Sequence, residues 1–169
     1  MAATRSITTP NQAMASKPAH IKIQTAIDHF LSIVLNQEDK PEDLGILMSS
    51  LDELAYSVRL VGDEFDETDY LDPPETDYPA IRETIKKRFP TLDWYNMATH
   101  ISEPNGETKL FLRDAIDDLV DIVSDLQKIS WRFENTSEDD ASWHFQWGYM
   151  NTWGRALRFL QLYLHDFWW

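Results

Sequence analysis

The sequence predicts an all-α protein, an antiparallel bundle of about four long helices and one short helix. Three observations support this fold class. Apolar residues repeat at helical spacing through most of the 169 residues. No segment shows a convincing strand pattern, and none repeats at a fixed period. The segment from Trp143 to Trp169 holds five of the seven tryptophans, and so many large rings require a core or a partner to cover them.

The first predicted helix runs from about His20 to Gln37. Its apolar stripe is formed by Ile23, Ile27, Phe30, Leu31, Val34 and Leu35. Pro41 suits the first turn of a second helix, which we expect to end near Gly62. Prolines interrupt residues 1–19, which we predict to be a disordered N-terminal arm. Residues 20–169 then form a single domain.

An acidic loop follows over residues 62–78, with eight acids between Asp63 and Asp77. Two adjacent prolines prevent a continuous helix there. A calcium loop is the alternative, because carboxylates at alternate positions bind hard cations. Phe65 occupies a position that a calcium loop gives to a ligand, so we predict a solvated loop.

The third predicted helix is short, from about Pro79 to Arg88. Thr91 can then cap one further turn that reaches Met97. After a turn at residues 104–106, a long helix is predicted from about Lys109 to Phe133. Ser137, with an acid three residues later, resembles a capping box, and the last helix is expected to continue from it to the end of the chain.

Charge and composition exclude several functions. The net charge is -14 and the isoelectric point is about 4.6, so the chain repels nucleic acid and anionic membranes. No apolar run approaches the length of a membrane span. The chain has no cysteine, which excludes thiolate metal ligands and cysteine nucleophiles. We expect an acidic cytoplasmic protein.

A group of aspartates shares one side of the fourth predicted helix: Asp114, Asp117, Asp118, Asp121 and Asp125. A hard-metal site is one interpretation, but the chain lacks the Glu-x-x-His pairs of di-metal bundles and its histidines are scattered. We therefore predict a solvated acidic face, no metal and no cofactor. Arg155 and Arg158 share a face of the last helix, and we hypothesise that they pair with Asp118, Asp121 or Asp125.

The C-terminal aromatic band is wider than one helix interface needs, so part of it can cover a partner or a ligand. Gly148 and Gly154 cost helix stability, which a close approach by another helix or a ligand would explain. Core packing alone remains an equal alternative. Asn151 lies among the rings, and its amide needs hydrogen-bond partners if it is buried.

Two stretches carry a family resemblance: DDLVDIVSDL at residues 117–126 and WHFQWGYMNTWGRALRFL at residues 143–160. Together they resemble the bacterial family called domain of unknown function 5063. The resemblance implies an all-helical bacterial cytoplasmic protein. It transfers no reaction and no catalytic residue.

The favoured functional hypothesis is a non-enzymatic interaction or regulatory protein that holds a protein partner or a second copy of itself. No nucleophile elbow, phosphate loop or zinc-protease motif is present. The alternative is an enzyme or ligand-binding protein with a pocket between the last two helices, in which Asp121 or Asp125 would be the acid-base group. That pocket would be lined by Trp143, Trp147, Asn151, Trp153 and Arg155.

Overall fold

The structure is a computed structural model that describes residues 13–35, 42–62, 64–102, 106 and 108–168, with side chains from residue 19 onward. The described part of the chain is 69% helical, which confirms the predicted fold class. It contains six α-helices and one two-stranded sheet. In chain order the elements are α1 (Ala13–Leu35), α2 (Leu44–Ser57), α3 (Tyr78–Arg88), β1 (Trp94–Ala98), β2 (Leu110–Asp114), α4 (Ala115–Asn135), α5 (Glu138–Asn151) and α6 (Trp153–Trp168).

The first two helices pair closely and follow the predicted periodicity. α1 begins at Ala13, so residues 13–19 of the predicted arm belong to the helix, while residues 1–12 lie outside the described part. Ile23, Ile27 and Phe30 are fully buried. At the start of α2, the Asp43 carboxylate accepts a hydrogen bond from the Ile46 amide at 2.9 Å, which satisfies one of the free donors of the first turn.

A β-hairpin replaces the helical turn predicted after Thr91, and the expectation of no strand was wrong here. β1 and β2 pair antiparallel, with Tyr95 opposite Arg113 and Met97 opposite Phe111. The alternation that marks β1 spans only five residues, with Tyr95 and Met97 buried between exposed neighbours. So short a run is hard to distinguish from a helix fragment.

The fourth helix therefore begins at Ala115 and not near Lys109. The Asp114 carboxylate accepts the Ile116 amide at 2.9 Å and fixes the helix start. α4 packs against α1, α3, α5 and α6 and forms the centre of the bundle. The sequence predicts an apolar stripe of Leu112, Ile116, Leu119, Val123 and Leu126. The last four are buried, but Leu112 belongs to β2 and is 63% exposed, so it was wrongly included.

The predicted last helix is in fact two helices, so the expectation of one continuous helix after Ser137 was wrong. α5 ends where the backbone amide and the hydroxyl of Thr152 both donate to the Gly148 carbonyl, at 2.8 and 3.0 Å. α6 then starts at Trp153. The predicted cap at the other end of α5 is observed, because the Ser137 hydroxyl oxygen accepts the Asp140 amide at 3.1 Å.

The break between α5 and α6 carries Trp153 into the core. Its side chain is fully buried, with ring centroids 5.1 Å from Phe145 and 5.2 Å from Tyr149. A Cβ atom at Gly148 would lie 2.7 Å from the Trp153 indole nitrogen. At Gly154 it would meet the Tyr149 carbonyl. The close approach expected from these glycines is therefore made by the chain itself.

No helix within the described ranges is long and apolar enough to cross a membrane.

We predict that Gly148→Ala destabilises the fold even though alanine favours helices. The new methyl group meets the rigid indole of Trp153, and overpacking of this kind costs about 1–3 kcal/mol, or about 2–4 °C of melting temperature per kcal/mol. Gly62→Ala is the matched control, because nothing lies within 4 Å of its added Cβ. Thermal unfolding followed by circular dichroism measures both, and equal melting temperatures would contradict the packing argument.

Candidate functional site

Three of the predicted site residues lie along the outward side of α5. Trp143, Trp147 and Asn151 follow one another at a spacing of four residues, which places them on one face. The rings of Trp143 and Trp147 stack at 6.3 Å between centroids. Trp147 is 45% exposed and Met150, beside it, is 67% exposed. The Asn151 amide donates to the Trp147 carbonyl at 2.8 Å, so Asn151 closes the end of α5.

The other aromatic and basic candidates lie elsewhere. Trp153 is in the core, and Arg155 and Arg158 are exposed on α6. The Arg155 guanidinium lies 5.3 Å from the centre of the Phe159 ring. Arg158 donates to the Tyr149 hydroxyl at 3.0 Å. Among the described residues, neither arginine forms an ion pair with an aspartate, so the hypothesised pairing with α4 is not observed.

Asp118 is nearly fully buried, so the expectation of a solvated face was wrong for this residue. Its carboxylate accepts a hydrogen bond from the Tyr95 hydroxyl. It also accepts one from the Arg113 guanidinium, with 3.0 Å between Nε of Arg113 and Oδ1 of Asp118. Arg113 also lies 5.4 Å from the centre of the Phe159 ring. Burial, followed by the bond to Asp118, raises the pKa of Tyr95. This network joins the hairpin to α4 and α6.

Asp114 is also buried, and an arginine of α3 binds it. Arg82 donates to Asp114 at 2.7 Å and to Asp117 at 2.6 Å. Burial, followed by the charges of Asp121 and Asp117, raises the pKa of the nearby Tyr78 to about 12. The predicted solvated face therefore consists partly of internal ion pairs.

Asp121 and Asp125 remain on the outer side of α4. Asp121 is exposed as a residue, but partial desolvation of its carboxylate, followed by the charge of Asp118, raises its pKa. Asp125 accepts a hydrogen bond from the Thr152 hydroxyl and so ties α4 to the break between α5 and α6. Within the described ranges no three histidine, aspartate or glutamate side chains gather closely enough to hold a metal ion.

The acidic loop folds back onto the start of α5. The Phe65 ring meets the Trp143 ring edge-on at 5.2 Å. Asp66 accepts hydrogen bonds from the Ser137 hydroxyl, the Thr68 amide and the Tyr70 hydroxyl. These bonds, that from Ser137 first, hold the pKa of Asp66 well below its usual range. We call the surface formed by Phe65, Trp143, Trp147 and Met150 the aromatic face.

An acidic groove of about 530 Å³ lies between the loop and α5. Buried Arg132 forms its floor and donates to Asp140 at 3.1 Å. Burial, followed by the charge of Arg132, lowers the pKa of His144, whose Nε2 lies 3.5 Å from Asp140. Asp72 is almost fully exposed, 3.6 Å from Arg132. Trp143 and His144 form the aromatic wall.

Sequence reasoning missed Phe65, Arg132 and His144 as members of this surface. Phe65 carried a signal, since a large apolar ring in a strongly acidic loop needs something to pack against. Arg132 carried a weaker one, as the last cation before a long stretch without Lys or Arg. Nothing in the spacing connects either residue to α5.

A larger shallow groove of about 760 Å³ separates α2 from α6. Met48 and Leu162 supply apolar surface there. Two polar groups of this groove already bind each other, because the side-chain amide of Gln161 donates to the Asp52 carboxylate at 2.6 Å. This groove offers fewer polar groups for recognition than the acidic groove does.

Comparison with known proteins supports the fold and the family resemblance. The family model described as "Domain of unknown function (DUF5063)" matches residues 19–167. The crystal structure of protein BF1032 from Bacteroides fragilis is similar, at 18% identity over 88% of this chain and 91% of that chain, with a TM-score of 0.63. At that identity the similarity shows the fold alone. A search of curated proteins finds no match.

We predict opposite effects for two neighbouring aspartates of α4. Asp118→Asn removes a buried charge from Arg113 and should destabilise the fold by about 2–3 kcal/mol. Asp121→Asn should leave stability unchanged or slightly higher. The raised pKa of Asp121 means that its ionised form is disfavoured in the folded state, and the amide removes that cost at neutral pH. Urea unfolding of both variants gives the comparison, and equal losses would refute the burial argument.

A further prediction concerns the attachment of the acidic loop. Because its hydrogen bonds lower the pKa of Asp66, the carboxylate stays ionised below the usual carboxyl pKa. The Asp66 contacts are therefore lost only when the pH falls through the lower pKa that Asp66 has in the folded state. The loop should therefore stay attached at about pH 4, near the pKa of free aspartate. Asp66→Asn should release it and change Trp143 fluorescence, with Asp69→Asn as the exposed control. Detachment of the wild-type loop at that pH would contradict the assignment.

Proposed function

The chain belongs to the family called domain of unknown function 5063, and from its surface we propose that it is a non-enzymatic interaction module. In this proposal the aromatic face binds a protein partner, and the acidic groove beside it receives basic side chains of that partner. We also place the protein in the cytoplasm, a proposal that rests on the sequence.

The observation that carries the proposal is the pair of stacked, partly exposed tryptophans on α5. Exposure of such rings to water is unfavourable. Each ring removes up to about 250 Å² of its surface from water when a partner covers it. Trp is enriched among the residues that dominate interface energies, and Met adapts to varied partners. Met150 extends the face beyond Trp147, and Phe65 extends it past Trp143.

Charge favours a basic partner. Glu67, Asp69 and Asp72 are exposed beside the aromatic face, and the sequence has no Lys or Arg between Arg59 and Arg82. Arg132, the cation that lines the acidic groove, binds Asp140 at 3.1 Å and lies 3.6 Å from Asp72, so it faces two carboxylates. The rim therefore keeps its negative charge, which speeds encounter with a basic segment and disfavours acidic ones.

The alternative of a ligand pocket between the last two helices has less support. Trp153 is packed in the core and Arg155 faces outward from α6, so the five residues expected to line the pocket do not surround one cavity. Of the two acid-base candidates, Asp121 is exposed and Asp125 is bound by Thr152. An interaction role requires no rearrangement of these residues, because the aromatic face already lies at the surface.

We predict that the double variant Trp147→Ala/Met150→Ala abolishes capture of a specific partner from native lysate by the tagged chain. Truncation of a central interface Trp costs 2 kcal/mol or more, at least about a thirtyfold loss of affinity. Leu162→Ala, an equally exposed residue on α6, should retain the partner. Quantitative mass spectrometry of proteins and small molecules in the eluates makes the comparison.

The same experiment has contrary outcomes. The captured protein should carry a basic segment and should be released by raised salt, since exposed charges are screened. Recovery of a stoichiometric metabolite or metal without a protein would support the ligand-binding alternative. Equal capture of the partner by the double variant and the wild type would show that the aromatic face does not bind it.

A further inference from the structure

We propose that a second copy of this chain packs on the β1–β2 hairpin, with the outer face of one hairpin against that of the other. Large apolar side chains are strongly exposed on this small element: Trp94 is 57% exposed, Leu110 73% and Leu112 63%. The surface is separate from the aromatic face, and the proposal does not depend on the function proposed above.

The register places these side chains together. Tyr95 and Met97 of β1 point into the protein, so alternation turns Trp94 and Asn96 outward. Asn96 is opposite Leu112, and the next outward position of β1 is opposite Leu110. Directly opposite residues share a face of the sheet. The two leucines therefore lie on the outer face, on the same side of the sheet as Trp94.

The inner face is already occupied. Tyr95 stacks on Tyr163 of α6 at 4.7 Å and donates to Asp118. Met97 is buried in the same core. The hairpin is thus held to the bundle from one side, and among the described residues no third strand joins the sheet. Two-stranded hairpins are marginal alone and gain stability when an apolar face is covered.

Charge points to a second copy as the occupant. Two copies with a net charge of -14 each repel one another over most of their surfaces. The ten strand residues contain one acid, Asp114, which is buried and bound by Arg82. Arg113 is neutralised by Asp118, and Lys109 adjoins the strand. Glu103 and Glu107 lie outside the described residues. Asp93, which directly precedes Trp94, is exposed and places one carboxylate per copy beside the patch. Over the strands themselves, two acidic molecules can meet without apposing carboxylates.

The area suits a modest dimer. Together with Ile101, which is also exposed, the outer face of the hairpin offers on the order of 400 Å² of apolar surface per copy. A typical specific interface buries about 800 Å² per partner, of which a little over half is apolar. The same patch on both copies makes the contact isologous, so that it closes as a two-fold dimer.

Sedimentation equilibrium of the full chain tests the proposal. The wild type should show reversible association from 19.8 kDa to twice that mass. Leu110→Thr/Leu112→Thr keeps residues that favour strands and should weaken dimerisation at least about tenfold. Leu71→Thr, at a largely exposed leucine of the acidic loop, should leave it unchanged. Circular dichroism checks that each variant is folded.

Cysteine trapping locates the contact, because the chain has no cysteine of its own. Asn96→Cys on the outer face should form a covalent dimer under mild oxidation, whereas Asn151→Cys on α5, also exposed, should not. A wild type that stays monomeric at high concentration would overturn the proposal. So would a dimer that the leucine double variant leaves intact, or equal trapping at both cysteines.

Discussion

The burial of Trp153 is the constraint on which the C-terminal half of the molecule depends. One straight helix from Ser137 to the C-terminus would carry its aromatic residues on a continuous spiral. The chain instead stops α5 at Thr152, whose hydroxyl reaches both the Gly148 carbonyl and Asp125. The indole of Trp153 then packs over Gly148, where any side chain would collide with it. Trp153 fills the core, while Trp143 and Trp147 of α5 lie partly exposed.

The distribution of arginines explains why that surface stays acidic. Buried ions are tolerated only when they are paired, and three arginines bind acids within the fold. Arg82 binds Asp114, Arg113 binds Asp118 and Arg132 binds Asp140. These pairs attach α3, the hairpin and α5 to the central helix α4. The chain has 15 basic residues against 29 acids, and each internal pair uses one of each, so the whole excess of acids is carried by the rest of the molecule. Because Arg132, which lines the acidic groove, is one of the paired arginines, the loop beside the aromatic face keeps a net negative charge.

The sequence was a good guide to helices and a poor guide to contacts between them. Periodicity predicted the buried stripes of α1 and α4, apart from Leu112, because it depends only on which side of a helix meets the core. The hairpin was missed since five-residue strands give too little alternation to distinguish. That error hid the pairing of Arg113 with Asp118, because residues five apart do not meet on one helix. They meet here because Arg113 belongs to a strand. The break at Thr152 was missed too: two glycines predicted a close approach but could not identify the indole that makes it.

The hairpin and the acidic groove lie at opposite ends of α4. The hairpin leads into the first turn of α4, while Arg132 and the acidic groove lie in its last turns. Twenty-one residues of helix span about 30 Å, so a dimer formed through the hairpins leaves both aromatic faces free. Two linked binding sites convert the second binding event into an intramolecular one, which raises overall affinity without any new contact. Dimerisation at the hairpin would therefore strengthen weak recognition at the acidic groove, and each surface gives a physical reason for the other.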